Sequence, residues 1–342
     1  MNRNLSNPDI SILLPFYNGA ATLEQCLDSI LNQSFNNFEL LAINNGSTDD
    51  SENVVINKMG DDQRLMLFNL PEPGLIPALN FGLEQAKSEL IVRMDCDDIM
   101  SPHRLQKQWQ HMKQHPDCSL VSCQVRLFPD ELVKDGYREY IRWQNSCITA
   151  QDIRDEIYWE SPMAHPSVTF RKKDVLTLNG YRDGDFPEDY DLWLRMNQAG
   201  MKMEKLPEIL LDWREGAKRL SRSDPRYNRA AFDILRGKFL AQDPRLSQGR
   251  PLVIWGAGRS TRLRAKHLLD NGFDLLAWID VDENKIGNLV WGAPVEPPEW
   301  LLKQVDKPFV LSYVTVRGAK EKNRQLLEGM GYHRGRDYLM VG

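Results

Sequence analysis

Three carboxylates, Asp95, Asp97 and Asp98, fall within four residues in the segment Met94-Asp95-Cys96-Asp97-Asp98, which closes the strand-like run Glu89 to Met94. In an extended chain Asp95 and Asp97 point to one side and Asp98 to the other. Crowded carboxylates repel one another, and a positive charge among them relieves the repulsion. A hard divalent cation, Mn²⁺ or Mg²⁺, held by one or two carboxylates together with substrate phosphates, suits such an oxygen-only set. The plainer alternative is an Asp-rich turn that caps the helix expected at Pro102. A second acidic pair, Glu188-Asp189, follows Pro187 and opens a helix with Leu192, Trp193 and Met196 inward. Acids in a first helical turn are favoured by the helix dipole, so by itself this pair reads as helix-start chemistry.

The elements that must position these groups alternate in type. Ile10 to Leu14 is a continuous apolar run ending at Pro15, as expected of a strand covered on both faces. Thr22, with Gln25 three residues on, reads as the cap of a helix whose apolar stripe is Leu23, Leu27, Ile30 and Leu31. Phe38 to Ile43 is a second buried strand ending in the turn Asn44-Asn45-Gly46-Ser47, and a short strand near Leu65 to Asn69 and a helix near Leu75 to Ala86 follow. Ser101-Pro102 opens a helix to about Gln114, with Leu105, Trp109 and Met112 inward. Later pieces are a helix from Thr149 and a strand over Ser167 to Phe170. Such alternation predicts an α/β fold, a mostly parallel sheet with helices on both faces, whose ligands sit at the carboxyl ends of strands. The polar turns after Leu14, Ile43 and Met94 all lie at such ends.

The polar stretch at residues 241–250 reads as a linker between a domain over 1–240 and a small Rossmann-like α/β domain over 251–342. There Leu252 to Trp255 restarts a strand, Gly256-Ala257-Gly258 leads into a helix, and Asp280 ends the next strand. This arrangement resembles a dinucleotide-binding turn, but Thr261 holds the third glycine position.

With 342 residues, 42% apolar and 27% charged, the chain has the length and composition of two globular domains. Its net charge of -5 argues against a general nucleic-acid-binding surface. Five cysteines without a C-x-x-C pair complete neither a zinc site nor a disulfide framework, and fit free thiols in a reducing cytoplasm. The N-terminal residues lack the apolar core of a signal peptide, and no apolar run is long enough to span a bilayer. The expected location is cytoplasmic, with room for peripheral association with a membrane.

Four ordered segments carry a more specific signal: ISILLPFYNGAATLEQCLDSILNQSF, NNGSTDDS, GLIPALNFGLEQAKSELIVRMDCDDIMSPHRL and AHPSVTFRKKDVLTLNGY with FPEDYDLWLRM. Together, over about residues 9–225, they resemble a family 2 glycosyltransferase of the GT-A fold. The resemblance implies inverting transfer of a sugar from a nucleoside-diphosphate donor, with UDP the usual nucleotide, to a hydroxyl of a glycan or lipid-linked acceptor. It implies that Tyr17 stacks on the base, with Pro15 and Asn18 shaping its turn, and that the Asn44-Asn45 turn meets the base. The family usually has Asp-Asp or Asp-Asn there; asparagine accepts through its carbonyl but also donates. Asp95 and Asp97, with Asp98 adjacent, would contact ribose and metal. Asp189, or failing it Glu188, would be the general base, and His165 would line the acceptor pocket. The basic run Arg214, Lys218, Arg219, Arg222, Arg226 and Arg229 occupies the place of the family's mobile loop over the diphosphate, with Arg214 and Arg219 as its expected contacts. Gly216 stands where that loop usually carries histidine, and no Gln-x-x-Arg-Trp element of a processive synthase follows. Similar second domains occur on some bacterial glycosyltransferases and on a human β-1,3-N-acetylglucosaminyltransferase-like protein, a likeness that points toward N-acetylglucosamine transfer.

Two rival readings stand beside this one. Gly256 to Leu263 superficially resembles the glycine-rich signature of a sugar-nucleotide pyrophosphorylase, but that signature should open a catalytic domain, and little chain follows it here. A non-catalytic nucleotide-sugar sensor or scaffold would keep the fold without turnover; the joint presence of Asp97 and Asp189 weighs against it.

Overall fold

The computed structural model describes residues 7–60, 62–216, 219, 222, 224–247, 249–316 and 318–342. The chain divides into two compact units, one of Met1–Ala150, Pro162–Gly184 and Glu188–Ser223, the other of Gln151–Ser161, Asp185–Pro187 and Asp224–Gly342.

The first unit begins with β1 (Ile10–Phe16), α1 (Ala20–Leu31), β2 (Phe38–Asn44), α2 (Ser51–Met59), β3 (Leu65–Asn69), α3 (Leu75–Gln85) and β4 (Leu90–Arg93). It continues with β5 (Ile99–Met100), α4 (Arg104–Gln114), β6 (Cys118–Phe128) and α5 (Asp135–Ser146). Then come α6 (Ala150–Glu156), nearly all of it counted with the second unit, β7 (Thr169–Arg171), α7 (Lys172–Thr177), α8 (Glu188–Gln198) and β8 (Lys202–Arg214). The sheet has the order β3-β2-β1-β4-β7-β6-β8-β5. β1, β2, β3 and β4 run parallel, β7 runs antiparallel to both β4 and β6, and β5 runs antiparallel to β8. β6 and β8 pair in parallel, so six of the eight strands share one direction, as the sequence pattern implied, and only β7 and β5 are reversed.

β1 and β2 are buried at every position, which is why they read as unbroken apolar runs rather than alternating ones. Leu23, Leu27 and Ile30 of α1 pack on them in one core with Val92 and Met94. Two helix starts differ from the sequence reading. α1 begins at Ala20 with Gly19 in the cap position, and the Thr22 hydroxyl donates to Gly19 O and to Cys96 O at 3.3 Å each. α4 begins at Arg104, two residues past Pro102, because Ser101 is held by the β5–β8 pairing.

The second unit holds α9 (Arg229–Leu240), β9 (Leu252–Trp255), α10 (Arg259–Leu269), β10 (Leu275–Ile279), β11 (Leu289–Val290), β12 (Ala293–Glu296), β13 (Phe309–Ser312), α11 (Ala319–Gly329) and β14 (Tyr338–Met340). Its sheet order is β11-β12-β10-β9-β13-β14, parallel except for β11. The chain leaves β9 toward β10 on one side and returns at β13 on the other, so β9 and β13 flank the topological switch point of a doubly wound sheet.

The stretch 241–250, expected to be a linker, lies inside this unit, which resumes at Asp224. Two kinds of contact explain the shift. Gly237 of α9 lies so close to α10 that an added Cβ would meet the Cβ of His267 at 2.7 Å. The segment Gln151–Ser161 is tied into the unit by charge: Asp155 pairs with Arg245 at 2.9 Å, and Asp152 and Glu156 pair with Arg334 at 2.8 and 3.1 Å. Periodicity reports neither packing between helices nor ion pairs across long sequence gaps. No helix among the described residues is long and apolar enough to cross a membrane.

Candidate functional site

β1 and β4 are parallel neighbours with Leu13 opposite Arg93, so the residues following each strand emerge at the same end. The Met94 amide donates to Leu13 O at 3.1 Å and prolongs the pairing to the first carboxylate. Asp95, Asp97 and Asp98 then turn through a loop held from two sides. From α1, the Cys26 thiol donates to Asp95 O at 3.2 Å and the Thr22 hydroxyl reaches Cys96 O. Gly19 lies close to this loop: a Cβ at that position would lie 2.9 Å from Cys96 Sγ, so the thiol would have to turn aside.

From the other side comes β8. Its pairing sets Ile99 opposite Asp212, which brings Arg214 alongside Asp97 and Asp98. The Arg214 amide donates to Asp98 Oδ1 at 2.7 Å, its Nε to Asp97 O at 2.6 Å and its Nη2 to Gln25 Oε1 at 2.7 Å. The guanidinium also lies over the Phe128 ring at 4.4 Å. Arg214 was expected to meet the donor diphosphate; its guanidinium instead clamps the acidic loop. A long-range strand register decides this, and a local basic run does not reveal it. Arg214→Ala is therefore expected to cost about 1–3 kcal/mol of stability, the usual worth of a charged hydrogen bond, and to weaken metal-dependent nucleotide binding. Thermal melts and a Mn²⁺-dependent titration with UDP check both, and Arg214→Lys, which lacks the planar fork, should not restore them.

One carboxylate oxygen from each of Asp95, Asp97 and Asp98 lies within 4.8 Å of the others. Burial and the charge of Asp95 push Asp97 up to about 6, and burial with Asp95 and Asp97 pushes Asp98 well above the usual range. Asp98 Oδ2 is buried without a hydrogen-bond partner among the described residues. An orphaned buried oxygen within three crowded carboxylates is what a hard divalent cation would relieve, so the donor set fits Mn²⁺ or Mg²⁺. Asp95 is partly neutralised already by the guanidinium of Arg93, which it pairs with directly.

Arg93, 2% exposed, is a site residue that sequence reasoning missed. Its position inside a buried strand, one residue before Met94, was the available signal, because a buried charge requires partners. Its charge acts on Asp95 and Glu188 and helps to hold Asp189 down. Its charge is thus felt both in the loop after β4 and in the first turn of α8. Burial, and then the neighbouring Glu188 charge, nevertheless raise Asp189 to about 8.

His165 lies in a 3-10 turn just before β7, beside the end of β4, because the Arg93 amide donates to Val168 O at 3.1 Å. Its Nε2 meets the Tyr181 hydroxyl at 2.9 Å and its Nδ1 lies 3.5 Å from Glu188 Oε1. At 6% exposed, with burial and Arg93 pushing its pKa down, it is a neutral support behind Glu188 rather than a lining of an open acceptor pocket. Tyr181 is the other partner that the sequence reading missed.

The nucleotide side is built from two turns. Tyr17 is 53% exposed at the carboxyl end of β1, as a stacking platform must be. Pro15 is buried within β1, and Asn18 takes a left-handed conformation, φ 48°. Asn18 Oδ1 accepts from the amides of Thr48 and Asp49 at 2.8 and 3.3 Å, joining its turn to the one after β2. In that second turn Asn44 Oδ1 accepts from the Ser47 amide at 2.9 Å and Asn45 Oδ1 from the Gly74 amide at 2.5 Å. Both side-chain carbonyls are therefore occupied by backbone donors, which fixes how the two amides are oriented.

Arg219 stacks over Trp213 at 4.2 Å and Tyr137 at 5.6 Å, and donates to the Tyr137 hydroxyl at 3.1 Å. Asp95 and Asp98 both act on its charge. Arg222 is paired with Glu215 at 2.6 Å, Arg226 with Asp224 at 2.7 Å, and Arg229 belongs to the second unit; Lys218 lies outside the described residues.

The profile of Glycosyl transferase family 2 matches residues 11–178. The chain is 33% identical over 210 residues to the amylovoran biosynthesis glycosyltransferase AmsE of Erwinia amylovora, covering 60% of this chain and 76% of the relative. It is 31% identical over 232 residues to the O-antigen biosynthesis glycosyltransferase WbnJ of Escherichia coli, covering 66% and 87%. Among solved structures it is similar to S. aureus TarS in complex with UDP-GlcNAc, with a TM-score of 0.54 and 17% identity over 68% of this chain and 72% of that one. It is also similar to the mannosyltransferase PcManGT of Pyrobaculum calidifontis in complex with GDP-Man and Mn²⁺, with a TM-score of 0.50 and 21% identity over 69% and 63%. At these identities the structures show the shared fold, that of GT-A enzymes.

Proposed function

Since the chain belongs to glycosyl transferase family 2, we propose that it is an inverting, metal-assisted enzyme that moves a sugar from a nucleoside-diphosphate donor, a UDP-sugar, to a hydroxyl of a glycan or lipid-linked acceptor. The observation that carries the reading is the crowding of Asp95, Asp97 and Asp98 after β4, with Asp95 paired to the buried Arg93, whose charge also acts on Glu188 and Asp189 of α8. Helix-start chemistry explains Glu188-Asp189 alone, and a capping turn explains Asp95 to Asp98 alone. Neither explains three crowded carboxylates beside a buried cation whose charge acts on both segments.

Asp97 and Asp98, with Asp95 steadied by Arg93, would hold the divalent cation. When bound, that cation supplies positive charge to the diphosphate as it departs. Tyr17 offers a face to the base, and the Asn44-Asn45 turn borders it. Asp189 takes the proton of the attacking acceptor hydroxyl, while Glu188, braced by His165, shapes the place of the sugar. Support for a nucleotide-sugar donor comes from TarS, whose structure holds UDP-GlcNAc, and support for the metal from the mannosyltransferase bound to GDP-Man and Mn²⁺. A related E. coli enzyme, 29% identical over 218 residues, is a UDP-Gal-dependent β-1,3-galactosyltransferase acting on a GlcNAc-diphosphoundecaprenol, which supports a lipid-linked acceptor.

The test is a screen of UDP-, GDP- and CDP-sugars for Mn²⁺-dependent binding, followed by slow donor hydrolysis without acceptor. Saturable binding that EDTA removes is the expected result. Failure of every nucleoside diphosphate to bind in the presence of metal would end the proposal.

A further inference from the structure

The second unit contains a buried cation that makes no ion pair among the described residues, although the charge of Asp233 acts on it. Arg264 of α10 is 6% exposed, and its contacts are all neutral: Nη2 donates to Tyr313 O at 2.7 Å and to Thr315 Oγ1 at 3.4 Å, and Nε to Ser260 O at 3.5 Å. Nη1 is buried without any partner among the described residues. The contact with Ser260 shows the side chain lying back over the first turn of its own helix, as helical side chains do. Its Tyr313 and Thr315 contacts put the guanidinium at the carboxyl end of β13, beside the switch point where doubly wound sheets take their ligands.

Two further arginines, Arg229 and Arg236, act on its charge beside Asp233. Arg229 Nη2 approaches the same exposed Thr315 Oγ1 at 3.5 Å and makes no ion pair among the described residues, although its charge acts on Asp233 and Glu160. Arg236, which also acts on Arg264, is matched by Asp233 at 3.1 Å and Glu160 at 4.0 Å. Asp280, on the β10 side, is occupied by the Ala257 amide at 2.9 Å and Lys285 at 3.1 Å, so it is not presented for a ribose hydroxyl as in a dinucleotide site. α10 has neither an acid in its first turn nor a side-chain cap, and beside Gly258 the space for a Cβ is empty. The first N–H groups of the helix, two guanidinium groups and the Thr315 hydroxyl thus border one place.

We propose that this place, at the start of α10 beside the end of β13, binds a phosphate group of a ligand without a metal ion. A buried guanidinium left unpaired is costly, and a tetrahedral oxyanion accepts from a helix terminus and from arginine forks alike. The site is separate from the carboxylate site of the first unit, so its failure leaves the reading of that unit untouched.

The experiment is calorimetric titration of the full chain with inorganic pyrophosphate in EDTA, which silences any metal-borne site. Saturable binding is expected, weakened at least tenfold in Arg229→Ala, an exposed position whose loss should leave the melting temperature unchanged. Arg264→Gln should abolish binding if it folds, but Arg229→Ala decides. Asp97→Asn should leave the titration as in the parent chain. Titration with UDP separates the sources: equal affinity assigns the site to the phosphates alone, and markedly tighter binding assigns it to a nucleotide. Absence of saturable binding, indifference to Arg229→Ala, or loss in Asp97→Asn each overturns the proposal.

Discussion

Asp189→Asn is expected to lower turnover by about 10²–10⁴, the range that general-base assistance supplies, while nucleotide affinity stays within about twofold. The amide keeps the shape of the side chain and the hydrogen bond from the Tyr190 amide that Asp189 Oδ1 accepts at 2.6 Å, so the helix start should survive. The pH dependence carries a second signature. Asp189 must be ionised to take a proton, and with its pKa raised to about 8 by burial and Glu188, kcat/KM should rise with pH through that region in the parent enzyme. The variant should lose that limb. Stability runs the other way. The folded-state pKa lies above that of a free carboxylate, about 3.9, so the native state holds the proton more tightly than the unfolded one. The contribution of this group to stability therefore falls as pH rises from about 4 to about 8, and Asp189→Asn should flatten that decline. Melting curves at several pH values and initial rates at saturating donor measure both. Unchanged turnover in a folded variant would remove Asp189 as base and leave Glu188 as the remaining candidate.

Asp97→Asn should abolish metal-dependent donor binding, with a loss well beyond the 10–100-fold typical of residues behind a ligand. It should leave the fold intact or slightly stabilised, because it removes one of three crowded charges. In the parent chain Asp97, raised to about 6, takes up a proton as pH falls through that value, and protons then compete with the cation. Apparent Mn²⁺ affinity should accordingly weaken between about pH 7 and 5, and the variant should show no such slope. Isothermal titration with Mn²⁺ and UDP reads both effects. Metal-dependent binding that persists in Asp97→Asn would move the ligand role to Asp98, whose Oδ2 is the orphaned oxygen of the cluster.

The sequence by itself determined the strands that end at the site. β1 and β2 are buried on both faces, so their apolar runs are unbroken and their ends are marked by polar turns, Tyr17-Asn18 and Asn44-Asn45. It determined the acidic loop and the acidic start of α8 for the same reason: charged groups directly after a buried strand, or opening a helix, stand out against apolar neighbours. Four motifs in order then indicated the family, which the similarity to curated glycosyltransferases shows.

Only the tertiary structure decided what each charge faces. Arg214 looked like a diphosphate contact and is a clamp, because the antiparallel β5–β8 register sets it against Asp97 and Asp98 across more than a hundred residues. His165 looked like an acceptor contact and is a buried brace of Glu188, because β7 runs antiparallel to β4 and delivers its preceding turn behind the acidic pair. Arg93 was hidden within a strand and is paired with Asp95, while its charge also acts on Asp189. The division of the chain escaped local reading for a like reason: Gln151–Ser161 joins the second unit through ion pairs with Arg245 and Arg334, far along the sequence. Burial and periodicity are properties of a segment and can be read from it, whereas a charge acquires its role from partners that only the folded chain brings within reach.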